Sequence, residues 1–185
     1  SKGEQMEWLD EVRARDKRGN QVLFAKDSAF LEDLRSMIAS QSHRALVLWA
    51  LDLADESVTQ LASRYPNDSR PREALDAACA WAAGEIKMRQ AQQKILACHA
   101  VAKDIDNRED IAMCHAVGQA CSVVHTVGHA IGCPLYDLTA LVRRHGIDDC
   151  AAAVEARKSD YVERLIWWSG HPSVHGGTWA SFIEG

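Results

Sequence analysis

The chain lacks any apolar run of the roughly 18–20 residues that a membrane-spanning helix needs, so none is expected. Its first residues, Ser1-Lys2-Gly3-Glu4-Gln5, lack the apolar core of a signal peptide. It has no excess of positive charge. Lys and Arg total 21 against 26 Asp and Glu, a formal charge of −5. Nucleic-acid binders are usually basic, so nonspecific DNA or RNA binding is disfavoured. There is no phosphate-binding loop, no G-x-G-x-x-G after a strand and no G-x-S-x-G, which removes the motif-borne nucleotide-binding and serine-hydrolase readings. Proline numbers only four and β-branched runs are few, which leaves little for a sheet to be built from. None of the six cysteines (Cys79, Cys98, Cys114, Cys121, Cys133, Cys150) forms a C-x-x-C pair. They read as buried thiols in a reducing compartment, which points to the cytoplasm.

Apolar residues make up 47% of the 185 positions, enough for one domain with a substantial core. Alanine is abundant among Leu, Glu, Arg and Lys, the composition of an all-α protein. The patterning predicts six or seven helices in a single bundle, with stacked antiparallel pairs as a variant. Residues 1–26 read as an arm or short helix, 27–168 as the helical domain and 169–185 as an irregular aromatic tail. Ser28 is the expected cap of a helix striped by Phe30, Leu31, Leu34, Met37 and Ile38. Ser42 opens a helix over 43–64. The next spans about 70–86, with Cys79 inside, and a fourth spans 88–105, with Leu96 inside, continuous with the third or separate. A fifth is expected over 108–132. Its glycines 118, 128 and 132 each cost helix stability, which predicts close approach by neighbouring helices. Pro134 opens a sixth helix with Gly146 past its end, and Asp148 caps a seventh over 149–168.

Two clusters carry the candidate chemistry. On the predicted fifth helix, His125 and His129 are one turn apart and face the same way, with His115 within about 80° by rotation. His99 on the preceding helix can reach them across the pair. Two histidines at i and i+4 are half of a zinc site, but the residues between them are Thr126-Val127-Gly128, without the glutamate of H-E-x-x-H. The histidines therefore read as interface residues hydrogen-bonded inside the bundle; a metal site on His99, His125 and His129, or acid–base work, is the alternative. The second cluster is Asp68, Arg70, Arg72, Asp76 and Glu85 around Trp81. It reads as a capped helix start with internal ion pairs, Arg72 to Asp76, and with Glu85 partly buried against Arg72 or His99. The functional alternative is an anion pocket beside Trp81. Trp49 and Trp81 belong to the core, whereas Trp167, Trp168 and Trp179 form either a contact surface or a folded-back tail. Cys98-His99 and Cys114-His115 are adjacent pairs whose side chains diverge by about 100° on a helix and so do not face each other.

Several segments in order carry a resemblance: Leu48-Trp49-Ala50 with Asp52 and Ala54, Tyr65-Pro66-x-Asp68-x-Arg70-Pro71-Arg72, Ala80-Trp81-x-x-Gly84-Glu85-Ile86, Cys98-His99-Ala100, and Gly118-Gln119-Ala120 with His125-x-x-x-His129-Ala130. Over residues 45–145 the chain resembles a family of small helical bacterial proteins described as immunity proteins of polymorphic toxin systems. The resemblance implies an all-α, non-catalytic domain without a cofactor that neutralises a toxin domain by binding it. It places Asp68, Arg70, Arg72, Trp81, Glu85, His99, His125 and His129 on matching positions without assigning a role to any of them. A metal-binding or hydrolytic helical enzyme built on the histidines is the competing reading.

Overall fold

The structure, a computed structural model, describes residues 2–173 and 177–185. Among the described residues, eight α-helices follow one another: α1 (Lys2–Lys17), α2 (Glu32–Ala39), α3 (His43–Arg64), α4 (Arg70–Ala82), α5 (Met88–Ala100), α6 (Arg108–Ser122), α7 (Gly132–His145) and α8 (Ala151–Ser169). Short 3-10 turns lie at Ala29–Leu31, Val101–Lys103 and Val127–His129, and no strand occurs among the described residues. The all-α expectation holds, with one helix more than anticipated because the charged first segment contributes the full 16-residue α1.

Helix α6 is the hub. It packs most extensively against α7 and α3, with α5 and α4 alongside. Its sequence explains the position. Ala112, Cys114, Ala116, Gly118, Ala120 and Cys121 are all buried, and side chains this small let neighbours approach from several directions. Trp49, Trp81, Trp8 and Tyr161 supply the bulk that fills the space between elements. Ser42 caps α3 as expected, its hydroxyl accepting from the Ala45 amide at 3.1 Å. Gly146 ends α7 with φ at +82°, a conformation that favours glycine.

Elsewhere the elements differ from expectation. The predicted fifth helix does not run to residue 132; it stops at Ser122. The Ser122 hydroxyl donates back to the Gly118 carbonyl at 2.8 Å, and the β-branched residues Val123, Val124, Thr126 and Val127 with Gly128 follow, a poor helical sequence that turns instead. α7 then starts at Gly132, two residues before Pro134. α4 and α5 are separate, because Gly84 takes φ at +78° between them. Leu96 is 67% exposed and Cys79 is also on the surface, so neither faces inward. Ser28 and Asp148 do not cap. The Ser28 hydroxyl donates to Glu11 at 3.0 Å, and Cys150, not Asp148, stands at the N-cap of α8, without a side-chain cap.

The tail folds back. The Ala180 amide donates to the Ala82 carbonyl at 2.8 Å, Ile183 is buried, and Arg44 lies 5.3 Å over the Trp179 ring. Residues 174–176 of the expected aromatic tail lie outside the described residues. No described helix is long and apolar enough to cross a membrane.

Candidate functional site

The arginine corner is built from the start of α4. Pro71 sits in the first turn, where its missing N–H leaves nothing unsatisfied. Asp68 accepts from the Arg70 amide at 3.1 Å and from the Arg70 guanidinium at 2.9 and 2.7 Å. The same guanidinium reaches Asp104, after the turn that ends α5, at 2.8 Å. Arg70 thus ties the entry of α4 to the exit of α5. Its hydrogen bonds hold the Asp68 carboxyl below the usual carboxylate range, and the two carboxylates raise the Arg70 pKa in return. Arg72 pairs not with Asp76 but with Asp55 on α3, at 3.3 Å. Glu85 lies exposed in the turn after α4 and bonds neither Arg72 nor His99, because α4 ends at Ala82 and the chain has already left the helix.

Trp81 is buried, with the His125 ring stacked on it at 5.9 Å and Phe182 of the tail tilted against it at 6.1 Å. His125 is exposed, and its Nδ1 lies 2.7 Å from the Thr126 hydroxyl. His129 stands in the following 3-10 turn, where Nδ1–H donates to Gln119 Oε1 at 3.1 Å. The break after Ser122 places the two rings on different elements, so they do not share a helical face as the spacing predicts.

His99 meets His115 instead. The rings stack at 5.0 Å with their Nδ1 atoms 2.7 Å apart. The Gln21 amide nitrogen lies 3.2 Å from His115 Nε2. An amide N–H only donates, so His115 Nε2 accepts, its proton sits on Nδ1, and that proton bridges to His99. Both rings are then neutral. Burial, with the charges that His115 and His129 would carry, pushes the His99 pKa down to about 4. Burial also lowers His115 and, with Lys26 and His125, lowers His129. Gly118 makes the pair fit: a Cβ there would stand 2.2 Å from His99 Nε2. Of the three glycines on the predicted fifth helix, Gly118 and Gly132 serve close approach, Gly132 against the Gln119 side chain, whereas Gly128 has only Thr126 nearby.

Chemically, the arrangement joins helices. Neutral, mutually bonded imidazoles link α5 to α6. The neighbouring thiols are protonated, burial pushing Cys114 up to about 12 and raising Cys98, whose Sγ–H donates to the Cys114 carbonyl at 3.5 Å. Among the described residues, no three His, Cys, Asp or Glu side chains converge as a metal centre would require. Pattern reading missed Gln21, Gln119, Asp55 and Asp104 as partners, since their contacts join positions far apart in the chain. It also missed a groove of about 1230 Å³ between α1, the turn at Ala29–Leu31 and α8. The one sequence signal for it is Glu7 and Glu11, one turn apart.

The described residues form an all-α domain in which every buried side-chain nitrogen and oxygen except the Trp8 indole has a hydrogen-bond partner. A family model described as Imm-5 like putative immunity protein matches residues 36–164, and the chain belongs to that family. Membership implies a protein partner. No curated protein and no solved structure matches the chain.

Proposed function

We propose that the protein is the immunity partner of a bacterial polymorphic toxin, acting in the cytoplasm by binding a toxin domain and masking it, without catalysing a reaction. Family membership over residues 36–164 carries this reading. The architecture supports it. Arg70, Arg72 and the His99–His115 pair tie α3 to α6 together, which leaves recognition to the outside of the bundle. The free state of all six cysteines suits a reducing compartment, and the net charge of −5 suits a protein partner better than a nucleic acid. The test is co-expression with the toxin domain encoded beside this gene. Growth is expected to return when the protein is present and a stoichiometric complex to be recovered. Continued killing with no complex would overturn the reading.

A further inference from the structure

We infer that the groove between α1, the turn at Ala29–Leu31 and α8 is the docking site for a basic segment of the toxin partner, an extension that rests on the function proposed above. Among the described residues, six carboxylates line it, Glu7, Glu11, Glu32, Asp33, Glu155 and Glu163, against one ammonium, that of Lys158. That is a formal −5, equal to the charge of the whole chain. The rest of the molecule is therefore neutral on balance, and the acidity gathers in one concave place. The one cation is engaged, its Nζ 3.1 Å from Asp33 and 4.4 Å from the Phe30 ring centroid. Glu7, Glu32 and Glu163 have no ion pair among the described residues.

A second observation is independent of charge. Trp8 lines the groove, is 2% exposed and stacks on Phe30 at 5.0 Å. Its indole N–H is the one buried side-chain polar atom among the described residues without a hydrogen-bond partner. A buried donor left unmade costs about 1–3 kcal/mol, so natural structures rarely keep one without a use. Because Trp8 lines the groove, a small shift of that wall on docking brings an incoming backbone carbonyl to the N–H. The volume exceeds the roughly 300–1000 Å³ typical of small-ligand pockets and suits a peptide segment with Lys or Arg at its edges and an apolar side chain on the aromatic floor.

The groove also straddles the edge of the family match. Glu155 to Glu163 on α8 lie within it, while Glu7, Trp8, Glu11 and the Ser28 to Asp33 wall precede residue 36.

The test compares two variants of equal charge in binding to the toxin domain encoded beside this gene. One carries Glu7→Lys, Glu32→Lys and Glu163→Lys; the control carries Asp76→Lys, Asp106→Lys and Asp149→Lys, all exposed and outside the groove. Circular dichroism confirms that both remain folded. The groove variant should lose about 100-fold or more in affinity and the control about threefold or less. The Trp8 indole resonance should shift when the wild-type complex forms. Equal affinities for the two variants, or an unmoved Trp8 resonance in the complex, would overturn the groove while leaving the immunity function standing. A wild-type protein that binds no toxin domain would remove both.

Discussion

Helix α8 has two charged faces with opposite arrangements. Toward α3 and α7, Arg157 reaches Asp137 at 2.8 Å, Asp160 at 2.8 Å and Glu56 at 3.1 Å. Two turns on, Arg164 pairs with Glu56 and, at 3.0 Å, with Asp160. The buried Tyr161 hydroxyl donates to Asp137, and its backbone carbonyl takes the Trp49 indole N–H at 3.0 Å. On the opposite side, Glu163 joins the acidic groove, where Lys158 is taken by Asp33 and Glu163 has no ion pair among the described residues. Two residues of one charge type, four or fewer positions apart, therefore do different work: Asp160 fastens helices together, and Glu163 leaves its field directed at solvent. Both faces carry charges of both signs at helical spacing. What separates them is whether a partner from a distant part of the chain arrives.

If the paired face holds the fold and the unpaired face does not, breaking the first should cost far more stability. Asp137→Ala strands the partly buried Arg157 and the fully buried Tyr161 hydroxyl at once. Urea denaturation should show a loss of about 3 kcal/mol or more, the range for removing one member of a buried pair. Near-wild-type stability would mean that Glu56 and Asp160 already satisfy Arg157 alone.

The imidazole pair offers an interior counterpart that responds to pH. Because the folded pKa of His99 lies near 4, below its unfolded value near 6.5, the unfolded chain takes up the proton first. The stability this neutral ring contributes is intact above about pH 6.5 and is lost as pH falls toward 4, with His115 and His129 adding in the same direction. Allowing for the partial exposure of the ring, His99 accounts for about 2 kcal/mol across that window. His99→Gln should flatten the fall in chemical-denaturation curves measured from pH 7 to 4. The Asp68 carboxylate works at lower pH, since its depressed pKa confines its loss to below the usual carboxylate range.

Gly118→Ala probes the same pair by volume. The new methyl meets the His99 ring, held against His115, and net destabilisation of about 1–2 kcal/mol is expected in thermal melts. In a His99→Ala background the clash is absent, and the same substitution should stabilise by about 1 kcal/mol through helix propensity. Equal effects in both backgrounds would show that the ring moves aside freely.

Much of the fold was legible because its evidence is local. Ser42, Pro71 and Gly146 mark helix ends through interactions within one turn, and the stripe of α3 is periodic over 22 residues. The break at Ser122 was hidden because the His125 to His129 spacing imitates a helix, while the β-branched run beneath it argued more weakly. Of the site residues, Trp81 as core and Asp68 with Arg70 as a fastened corner could be anticipated from the turn chemistry. The His99 to His115 contact, the Arg72 to Asp55 pair and the groove depend on which helix lies beside which. The groove in particular needs α1 laid along α8, and nothing in the poorly patterned first 26 residues states where α1 will land.

The smallest expected effect is the most informative about the unpaired face. Replacing Glu7, Glu32 and Glu163 together by Gln removes like charges that repel one another across the groove and breaks no ion pair. Unfolding free energy should stay within about 0.5 kcal/mol of wild type, with any change toward greater stability at low ionic strength. That gain should vanish in about 0.5 M salt, where the screening length shrinks to about 4 Å. A clear loss of stability instead would mean that these carboxylates hold α1 or α2 in place. They would then belong with Asp137 and Asp160 as fasteners, and the contrast between the two faces of α8 would collapse. Retained stability with the three charges gone would leave their concentration in one groove unexplained by folding, which is the condition under which a binding role for that surface has force.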